Sequence, residues 1–478
     1  MQNQQADASL RILPWIVGIA FFMQMLDASI LNTAIPSIAK DLGTSPLRMH
    51  AVVIAYILTV ATLIPASGWL ADRFGTRRVF LASIIIFTLG SLACALSFTL
   101  EMLVAARVLQ GVGGALLVPV GRLAVLRAFP RDQLVKVLSF VTIPGLMGPL
   151  MGPVLGGVIA HYVSWHWIFL INIPVGLLGI ILTLRCMPAL KPPLDSKDAP
   201  GSFDGFGFLL FGIFMVGTTL SVESMGENSQ PLDLRLVMLG AGLLSLGLYA
   251  FHAFKTASPL FSPKLFKTRN FTVGILGNLF SRLGGGAMPF LTPLLLQVGL
   301  GYSPVKAGLT MLPITAGAMI GKSLVNGLIR TLGYRWFLTL NTLFVSLMLA
   351  SYAIIDENLP YPVILGLFVI AGVANSLQFT GMNTVTLIDL PDDQAAGGNS
   401  MLSAVMQLAM GFGVACGSAV LDLFTGPDPV QGTGLLPAFH NTFLVLAALS
   451  AVSSLIFFQA RRTTGFARRS GTPEPSPE

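Results

Sequence analysis

Fourteen apolar stretches divide this chain, each close to the roughly 20 residues that a helix needs to cross the hydrocarbon core of a bilayer. The remainder of the chain is too poor in charge to solvate one globule. Only 10% of the 478 residues are charged and 54% are hydrophobic, whereas a soluble domain carries about 25% charged residues. The sequence therefore predicts a polytopic membrane protein and excludes soluble enzymes, coiled coils and disordered chains.

The stretches are predicted to be helices and not barrel strands. Inside lipid, a helix satisfies every backbone hydrogen bond within its own segment, and the stretches lack the period-two alternation of barrel strands. The predicted fold is therefore all-α. The fourteen spans are 13–35, 51–71, 79–98, 102–125, 137–160, 166–186, 205–222, 236–254, 271–297, 306–329, 336–355, 361–385, 397–421 and 438–459.

The basic residues predict which ends of the spans face the cytoplasm. Of the 28 Lys and Arg residues, 20 lie in the N-terminus, the connections after even-numbered spans and the C-terminal tail, and four lie in the opposite connections. By the positive-inside rule both termini are cytoplasmic. The net charge of +7 follows from this topology, so it does not indicate a nucleic-acid partner.

A weak internal repeat divides the chain into two related six-span blocks. GWLADRFGTRR at 68–78 aligns with NGLIRTLGYR at 326–335 at an offset of 258 residues, each after the second span of its block. Two pseudo-symmetric bundles with a site between them are typical of secondary transporters. The predicted domains are a cytoplasmic tail (1–12), a first bundle (13–187), a linker with two additional membrane helices (188–269), a second bundle (270–460) and a disordered cytoplasmic tail (461–478).

Other classes of site have weaker support. The three Cys residues lie in separate segments, so they predict neither a metal site nor a disulfide framework. GAMIGKS at 317–323 is one residue short of a phosphate-binding loop and lies within a helical stretch. No cluster of His and carboxylates marks a membrane edge, so we do not expect an enzyme, a metal, a nucleotide or another cofactor.

Asp27 is the one carboxylate near the middle of a predicted span. An uncompensated acid there costs about 2.5–3.5 kcal/mol, so it should face the protein interior and have a partner. Arg107 is the expected partner, with Gln110 one turn along the same helix and Gln24 one turn before Asp27. Asp27 and Arg107 are therefore candidates for proton coupling. The alternatives are a hydrogen-bonding hub that does not titrate and a fixed ion pair.

The ninth span is interrupted by Gly and Pro between 284 and 293, and Arg282 lies just before the break. Interrupted helices near the bilayer midplane are typical of binding sites. Arg282 is therefore a candidate cavity residue, the alternative being a contact to a neighbouring carbonyl. We expect the substrate cavity to contain six side chains: Gln24, Tyr56, Gln110, Arg282, Gln378 and Gln407.

Two further segments carry patterned residues. The loop at 68–78 is predicted to cap the third helix through Asp72 and to anchor the topology through its arginines. The fifth span has glycines at helical spacing interleaved with prolines, which favours close packing against another helix. The residues are Gly68, Asp72, Arg73, Gly75, Arg77 and Arg78 in the loop, and Gly145, Gly148, Pro149, Gly152, Pro153, Gly156 and Gly157 in the span.

Five motifs follow one another along the chain: LDASILNTAIP (26–36), GWLADRFGTRR (68–78), RVLQGVGGA (107–115), GLMGPLMGPVLGG (145–157) and WHWIFLINIPVG (165–176). Their sequences and their order resemble those of the fourteen-span drug:proton antiporter branch of the major facilitator superfamily. The chain resembles this branch over essentially its whole length. The second loop departs from the pattern, since Arg330 stands where the first loop has Asp72, so no acid role is assigned there.

The resemblance implies a proton-driven exporter in a bacterial inner membrane. It implies that Arg107 takes part in proton coupling, that the 68–78 loop is a conformational latch and that the fifth-span signature marks exporters. The expected partners are a small-molecule substrate, protons and lipid, without nucleic acid or nucleotide, and the protein is expected to be monomeric. The deep cations Arg107 and Arg282 leave open a second cargo class, a small carboxylate or its metal chelate. A polytopic enzyme or a channel is a distant alternative.

Overall fold

The computed structural model describes residues 2–188, 203–224, 232–425 and 432–460, and these residues are helical with no strand. Most of the predicted linker before the seventh span and the predicted tail at 461–478 lie outside them. Thirteen helical segments in the described residues are long and apolar enough to cross a membrane. The expected all-α membrane architecture is confirmed.

The difference between thirteen segments and fourteen predicted spans arises in one helical segment. Pro304–Ser351 runs for 48 residues, about 72 Å at the rise of an α-helix, which is more than twice the thickness of a bilayer core. Gly333 interrupts it with φ 68° and ψ 162°. The tenth and eleventh spans are therefore two helices joined by this single-residue turn.

The first six-span block begins with a long helix that contains Asp27. Helix α1 packs against α6, while α4 and α2 both pack against α5. A 3-10 turn at Pro65 separates α2 from α3 within the second span, and α7 and α8 together form the sixth. The helices are α1 (Gln2–Asp41), α2 (His50–Leu63), α3 (Ser67–Phe74), α4 (Thr76–Ala95), α5 (Leu100–Ala128), α6 (Arg131–Tyr162), α7 (His166–Leu170) and α8 (Asn172–Cys186).

The two linker helices, α9 (Gly205–Glu223) and α10 (Leu232–Lys255), pack on each other. Asp204 caps α9 through the Gly207 N–H at 2.8 Å and also accepts hydrogen bonds from His252 at 2.7 Å and Leu260 at 3.0 Å. Burial raises the pKa of the Asp204 carboxyl, but these three hydrogen bonds outweigh it and hold the pKa below its ordinary value. The ionised cap thus fixes the entry to α9.

The second block packs around α13, which contacts α14 and α16, while α11 contacts α14, α15 and α16. The predicted break in the ninth span is present, because α11 ends at Gly285 and α12 begins at Met288. The helices are α11 (Arg269–Gly285), α12 (Met288–Leu294), α13 (Pro304–Ser351), α14 (Tyr361–Leu387), α15 (Asp392–Thr425), α16 (Leu436–Val452) and α17 (Ser454–Phe457).

Backbone turns repeat between the two blocks at the same 258-residue offset as the sequence motif. The positive-φ glycines of the described residues are Gly43 and Gly301, with φ 63° and 65°, and Gly75 and Gly333, with φ 85° and 68°. Each pair is 258 residues apart. Only glycine adopts this backbone region without a steric cost, so both blocks make the same two turns.

The two blocks meet most closely at one end of the molecule. A Cβ atom added to Gly157 would lie 2.2 Å from the Pro304 carbonyl oxygen, and one added to Gly308 would lie 2.3 Å from the Pro153 carbonyl oxygen. We call the end of the molecule that carries residues 73–78 the basic end. The end with these two close contacts is the opposite end. The half of α6 nearer the basic end instead borders an open surface groove, and the residues on its wall, Leu138, Ser139, Thr142, Ile143 and Leu146, all belong to α6. The blocks are thus tightly apposed at the opposite end.

Candidate functional site

A buried ion pair occupies the centre of the first block. The Arg107 guanidinium on α5 lies 2.7 Å from Asp27 Oδ2 on α1. Asp27 is 1% exposed and Arg107 is 2% exposed. Removing either partner would leave a buried charge uncompensated, at a cost of about 3–5 kcal/mol.

Two amides complete the coordination of the Asp27 carboxylate. Oδ1 accepts hydrogen bonds from Gln110 Nε2 at 2.8 Å and from Asn172 Nδ2 at 3.0 Å. Gln110 Oε1 in turn accepts from Arg107 at 2.7 Å. Helices α1, α5 and α8 therefore contribute to one network, and every group that contacts the carboxylate is a donor. Such a shell matches the ionised carboxylate, which only accepts.

A second layer of polar contacts holds the amides in place. The Ser91 hydroxyl on α4 accepts from Asn172 at 2.9 Å and from Gln110 at 3.3 Å, and it donates to the Phe169 carbonyl at 3.0 Å. The network thus extends through α4 and α7. Because both amides are held from behind, their donors are oriented towards Asp27.

The side of the ion pair that faces Tyr56 and Gln24 is less completely hydrogen-bonded. The Tyr56 ring stacks on the Arg107 guanidinium, 4.3 Å from the centroid. Arg107 Nε has no hydrogen-bond partner among the described residues, and the Tyr56 hydroxyl lies beside the Gln24 side chain. An unpaired buried donor is costly, so this side of the ion pair is the less completely satisfied one.

Glycines on α6 bring that helix against α1 beside Asp27. Added Cβ atoms would lie 2.6 Å from the Leu26 nitrogen at Gly148, 2.0 Å from Ser29 Oγ at Gly152 and 2.3 Å from the Ile30 carbonyl oxygen at Gly156. The predicted glycine stripe therefore packs on α1. Gly145, Pro149 and Pro153 lie on the same helix, and Gly157 faces the second block, as described above.

The predicted cavity residues fall into two groups. Gln24, Tyr56 and Gln110 lie around the ion pair in the first block. Arg282 on α11 lies 5.2 Å from the Phe379 ring centroid and 3.5 Å from Asn278 Oδ1, and no carboxylate contacts it in the described part of the chain. Its place in a substrate cavity stays a prediction.

The other two predicted cavity residues lie elsewhere in the second block. Gln378 is 2% exposed and exchanges hydrogen bonds with Asn341 and Thr342 of α13, at 2.8 Å and 2.7 Å. Gln407 is half-buried on α15. The structure does not bring either side chain to the Asp27 network, and their roles stay predictions.

The loop at 68–78 differs in detail from the expectation. Asp72 does not cap the third membrane helix: it lies in the last turn of α3, and α4 begins after Gly75 without a side-chain cap. The prediction was wrong because the helix continues to Phe74, which places the Asp72 carboxylate beside Arg127 of α5, where the two form an ion pair. The Arg77 side chain donates to the Leu184 carbonyl.

The remaining loop residues surround this ion pair at the basic end. Gly68, Arg73 and Arg78 are exposed, and Gly75 makes the positive-φ turn. The contacts of Asp72 and Arg77 therefore lie within the first block. A latch role for the loop stays a prediction.

Sequence reasoning missed three participants. Asn172 and Ser91 join the Asp27 network, and Arg127 pairs with Asp72. Asn172 stands in the WHWIFLINIPVG motif as a polar residue in an apolar run, which was a usable signal. Ser91 and Arg127 gave no signal in the sequence, because only the packing of α4 and α5 brings them to their partners.

The comparisons with known proteins agree with this architecture. The model of the Major Facilitator Superfamily matches residues 17–413. The chain belongs to the major facilitator superfamily. Proteins of Salmonella typhimurium and Escherichia coli O81 named "Putative multidrug resistance protein MdtD" are similar to it. The first is 47% identical over 94% of this chain and 95% of its own length, and the second is 46% identical over 93% of each.

Solved structures of the superfamily share the fold. One is a bacterial homolog of the human lysosomal transporter Spinster in an inward-facing, unoccupied conformation, with a TM-score of 0.67, 14% identity and coverage of 98% of this chain and 99% of that one. Another is a D-xylose–proton symporter, with a TM-score of 0.66, 15% identity and coverage of 95% and 98%. This protein is therefore a multi-pass major facilitator transporter of small molecules.

Proposed function

We propose that this transporter is a proton-coupled exporter of drugs or other toxic small molecules. It would work as a monomer in a bacterial inner membrane, with both termini and the basic end in the cytoplasm, and without nucleotide or another cofactor. The observation that carries the proposal is the Asp27 carboxylate, buried at mid-span and held by donors from two other helices. The names of the MdtD relatives support the cargo class.

The network provides a physical link between protonation and movement. A proton on Asp27 converts one acceptor oxygen into a donor, yet Arg107, Gln110 and Asn172 all present donors to it. The protonated oxygen then accepts more weakly and the ion pair with Arg107 loses its negative partner, so α1 is held less tightly to α5. Protonation therefore favours a different arrangement of the cavity wall, which is the differential interaction that a coupled transporter needs.

The membrane gradient is sufficient to drive exchange. Movement of one charge through 100 mV releases about 2.3 kcal/mol. Exchange of one proton for a neutral solute can therefore use the membrane potential without nucleotide hydrolysis. Exchange for a monovalent cation moves no net charge, so it must be driven by the pH gradient. The close apposition of the two blocks at the opposite end supports a cytoplasm-facing state under the proposed topology.

Asp27→Asn tests the coupling directly. Asn keeps the shape and one acceptor but cannot exchange a proton, so reconstituted protein should still bind cargo while pH-gradient-driven uphill transport falls to background. Dye accumulation in proteoliposomes with an imposed gradient measures this. Asp233→Asn, which removes an exposed carboxylate at the start of α10, is the matched control and should transport normally. Uphill transport that persists in Asp27→Asn would remove Asp27 from coupling.

A second cargo class, small carboxylates or their metal chelates, is favoured by Arg282. A deep guanidinium without a carboxylate partner suits an anion better than a lipophilic cation. We expect Arg282→Ala to weaken transport of di- and tricarboxylates at least tenfold more than transport of cationic dyes, in competition assays on inverted vesicles. Equal losses for both classes would exclude a cargo-facing Arg282.

A further inference from the structure

A second buried ionisable cluster lies at the opposite end of the molecule, apart from Asp27. His50 begins α2 and is 3% exposed. Its Nε2 atom lies 3.3 Å from Glu223 Oε1 at the end of α9. Its Nδ1 atom lies 2.9 Å from Ser418 Oγ on α15 and 2.5 Å from the Leu47 carbonyl oxygen. We call these side chains, His50, Glu223 and Ser418, the outer cluster.

The hydrogen-bonding chemistry of the outer cluster depends on a proton. A neutral imidazole has one N–H donor, whereas the imidazolium has two. The Leu47 carbonyl and an ionised Glu223 carboxylate both accept only, and they face different ring nitrogens. Only the imidazolium donates to both. The Ser418 hydroxyl accommodates either form because it can donate or accept.

The charges around the ring also favour the imidazolium. Glu223 is 16% exposed, and Asp422, one turn beyond Ser418 on α15, adds a second attractive carboxylate. Helix α12 contributes only the Phe290 ring, edge-on at 6.4 Å. Arg48 is the cation on the adjoining turn, and it is exposed. Burial disfavours the charged ring, but the carboxylates of Glu223 and Asp422 and the Leu47 carbonyl outweigh that penalty.

The outer cluster joins three parts of the fold. Helix α2 belongs to the first block, α9 to the linker pair and α15 to the second block, and the three pack together. The outer cluster lies at the same end as the close contacts of Gly157 and Gly308. Opening the opposite end by separating the blocks would therefore pull His50 away from Ser418 or from Glu223.

We propose that His50 and Glu223 form a second proton-binding site, distinct from Asp27, that locks the opposite end closed when it is protonated. Loss of the proton leaves one N–H for two acceptors, so one contact is lost and Glu223 faces a neutral ring. The opposite end then opens more readily. Protons arriving from the outer side would thus favour closure after cargo release. The inference rests on the two-block movement of the proposed function, but not on Asp27 as the coupling residue.

Distance measurements between spin labels test the lock without a transport assay. Labels on Glu101→Cys and Glu357→Cys report the separation of the two blocks at the opposite end, because both sites are exposed there. The background has Cys94, Cys186 and Cys416 replaced by Ala and carries Asp27→Asn, so that the central acid cannot titrate. We expect the long-distance population to rise about threefold or more between about pH 6 and 9, because the neighbouring carboxylates move the loss of the imidazole proton above its ordinary range near pH 6.5.

Three variants decide between the outcomes. His50→Gln and Glu223→Gln should each abolish the pH response, because neither can form the charged pair. His440→Gln is the matched control: His440 also lies at this end, but its Nε2 contact to the Ile355 carbonyl, at 2.9 Å, stays within the second block, so the response should persist.

If two distance populations are present and their pH response survives in His50→Gln, the proposed lock is wrong, but the two-block movement is not. If added cargo and changed pH produce only one distance population in every protein, including the one with native Asp27, the two-block movement of the proposed function fails as well. These two results distinguish the failure of the lock from the failure of the transport mechanism.

Discussion

Asp27 shows how a membrane helix can carry a buried carboxylate. The charge loses its hydration, but Arg107, Gln110 and Asn172 replace water with three donors from two other helices. Each amide is itself held by Ser91. The desolvation penalty is thereby offset by a fixed shell of dipoles and one counter-charge.

Close packing of α6 on α1 is needed to position that carboxylate. Gly148→Ala would place a Cβ 2.6 Å from the Leu26 backbone nitrogen, next to Asp27, so α1 must shift. We expect a loss of about 1–3 kcal/mol of stability and lower transport. Thermal denaturation in detergent, followed by size-exclusion fluorescence, measures the loss of stability.

Gly145→Ala is the control on the same helix. The nearest atom to its added Cβ is 3.8 Å away, at Phe21, which is an ordinary contact. A similar loss in both variants would show that the fit against Leu26 is unimportant.

The sequence predicted some residues of the site and not others, for a physical reason. A lone acid in an apolar span requires a partner, and Arg107 was the available deep cation in the first block, so the pair could be predicted. Ser91 and the outer cluster could not be, because serine and histidine are tolerated at many helix positions. Their partners are set by how four or more helices pack, which local periodicity does not encode.

At the scale of helices, the apolar stretches predicted where membrane segments occur, and glycine and proline predicted where they break. The ninth span divides between Gly285 and Met288 as expected. The prediction that Asp72 caps the third membrane helix was wrong, because α3 extends to Phe74. A helix ends where its last hydrogen bond forms. Boundaries of this kind shift by a turn without changing the hydrophobic pattern.

The turn at Gly333 gives a testable cost at this scale. Gly333→Ala forces a side chain into a backbone conformation, φ 68° and ψ 162°, that is essentially restricted to glycine. This costs about 1–3 kcal/mol, and it should lower the denaturation temperature of the purified protein. Gly327→Ala in the same helical segment, with nothing within 4 Å of its added Cβ, should leave stability unchanged or slightly raised. Equal denaturation temperatures of the two variants would mean that a side chain at Gly333 does not strain the turn between the spans.

On the scale of the whole molecule, the interactions at the two ends differ in kind. The opposite end is closed by backbone contacts between the blocks at Gly157 and Gly308 and by the outer cluster, in which His50 of the first block contacts both the second block and the linker pair. At the basic end the Asp72–Arg127 pair and the Arg77 contact lie within the first block. The basic-end loop is thus rigidly attached to one block and moves with it.

Asp72→Asn tests whether that attachment controls switching. Loss of the ion pair with Arg127 should slow the interconversion of the two orientations and reduce transport severalfold for every cargo. Transport rates of a cationic dye and of a dicarboxylate measure the loss for each cargo, and Asp233→Asn is again the control. A change in the ratio of the two rates would contradict the latch and would place Asp72 in cargo selection.

The paired glycine turns have one further consequence. Gly75 and Gly333 bend the chain alike, yet the acid that precedes the first turn is matched by an arginine before the second, Arg330. The first half therefore presents a carboxylate that pairs with Arg127, whereas the second half presents a guanidinium at the matching position. The two turns are alike in backbone geometry and opposite in charge.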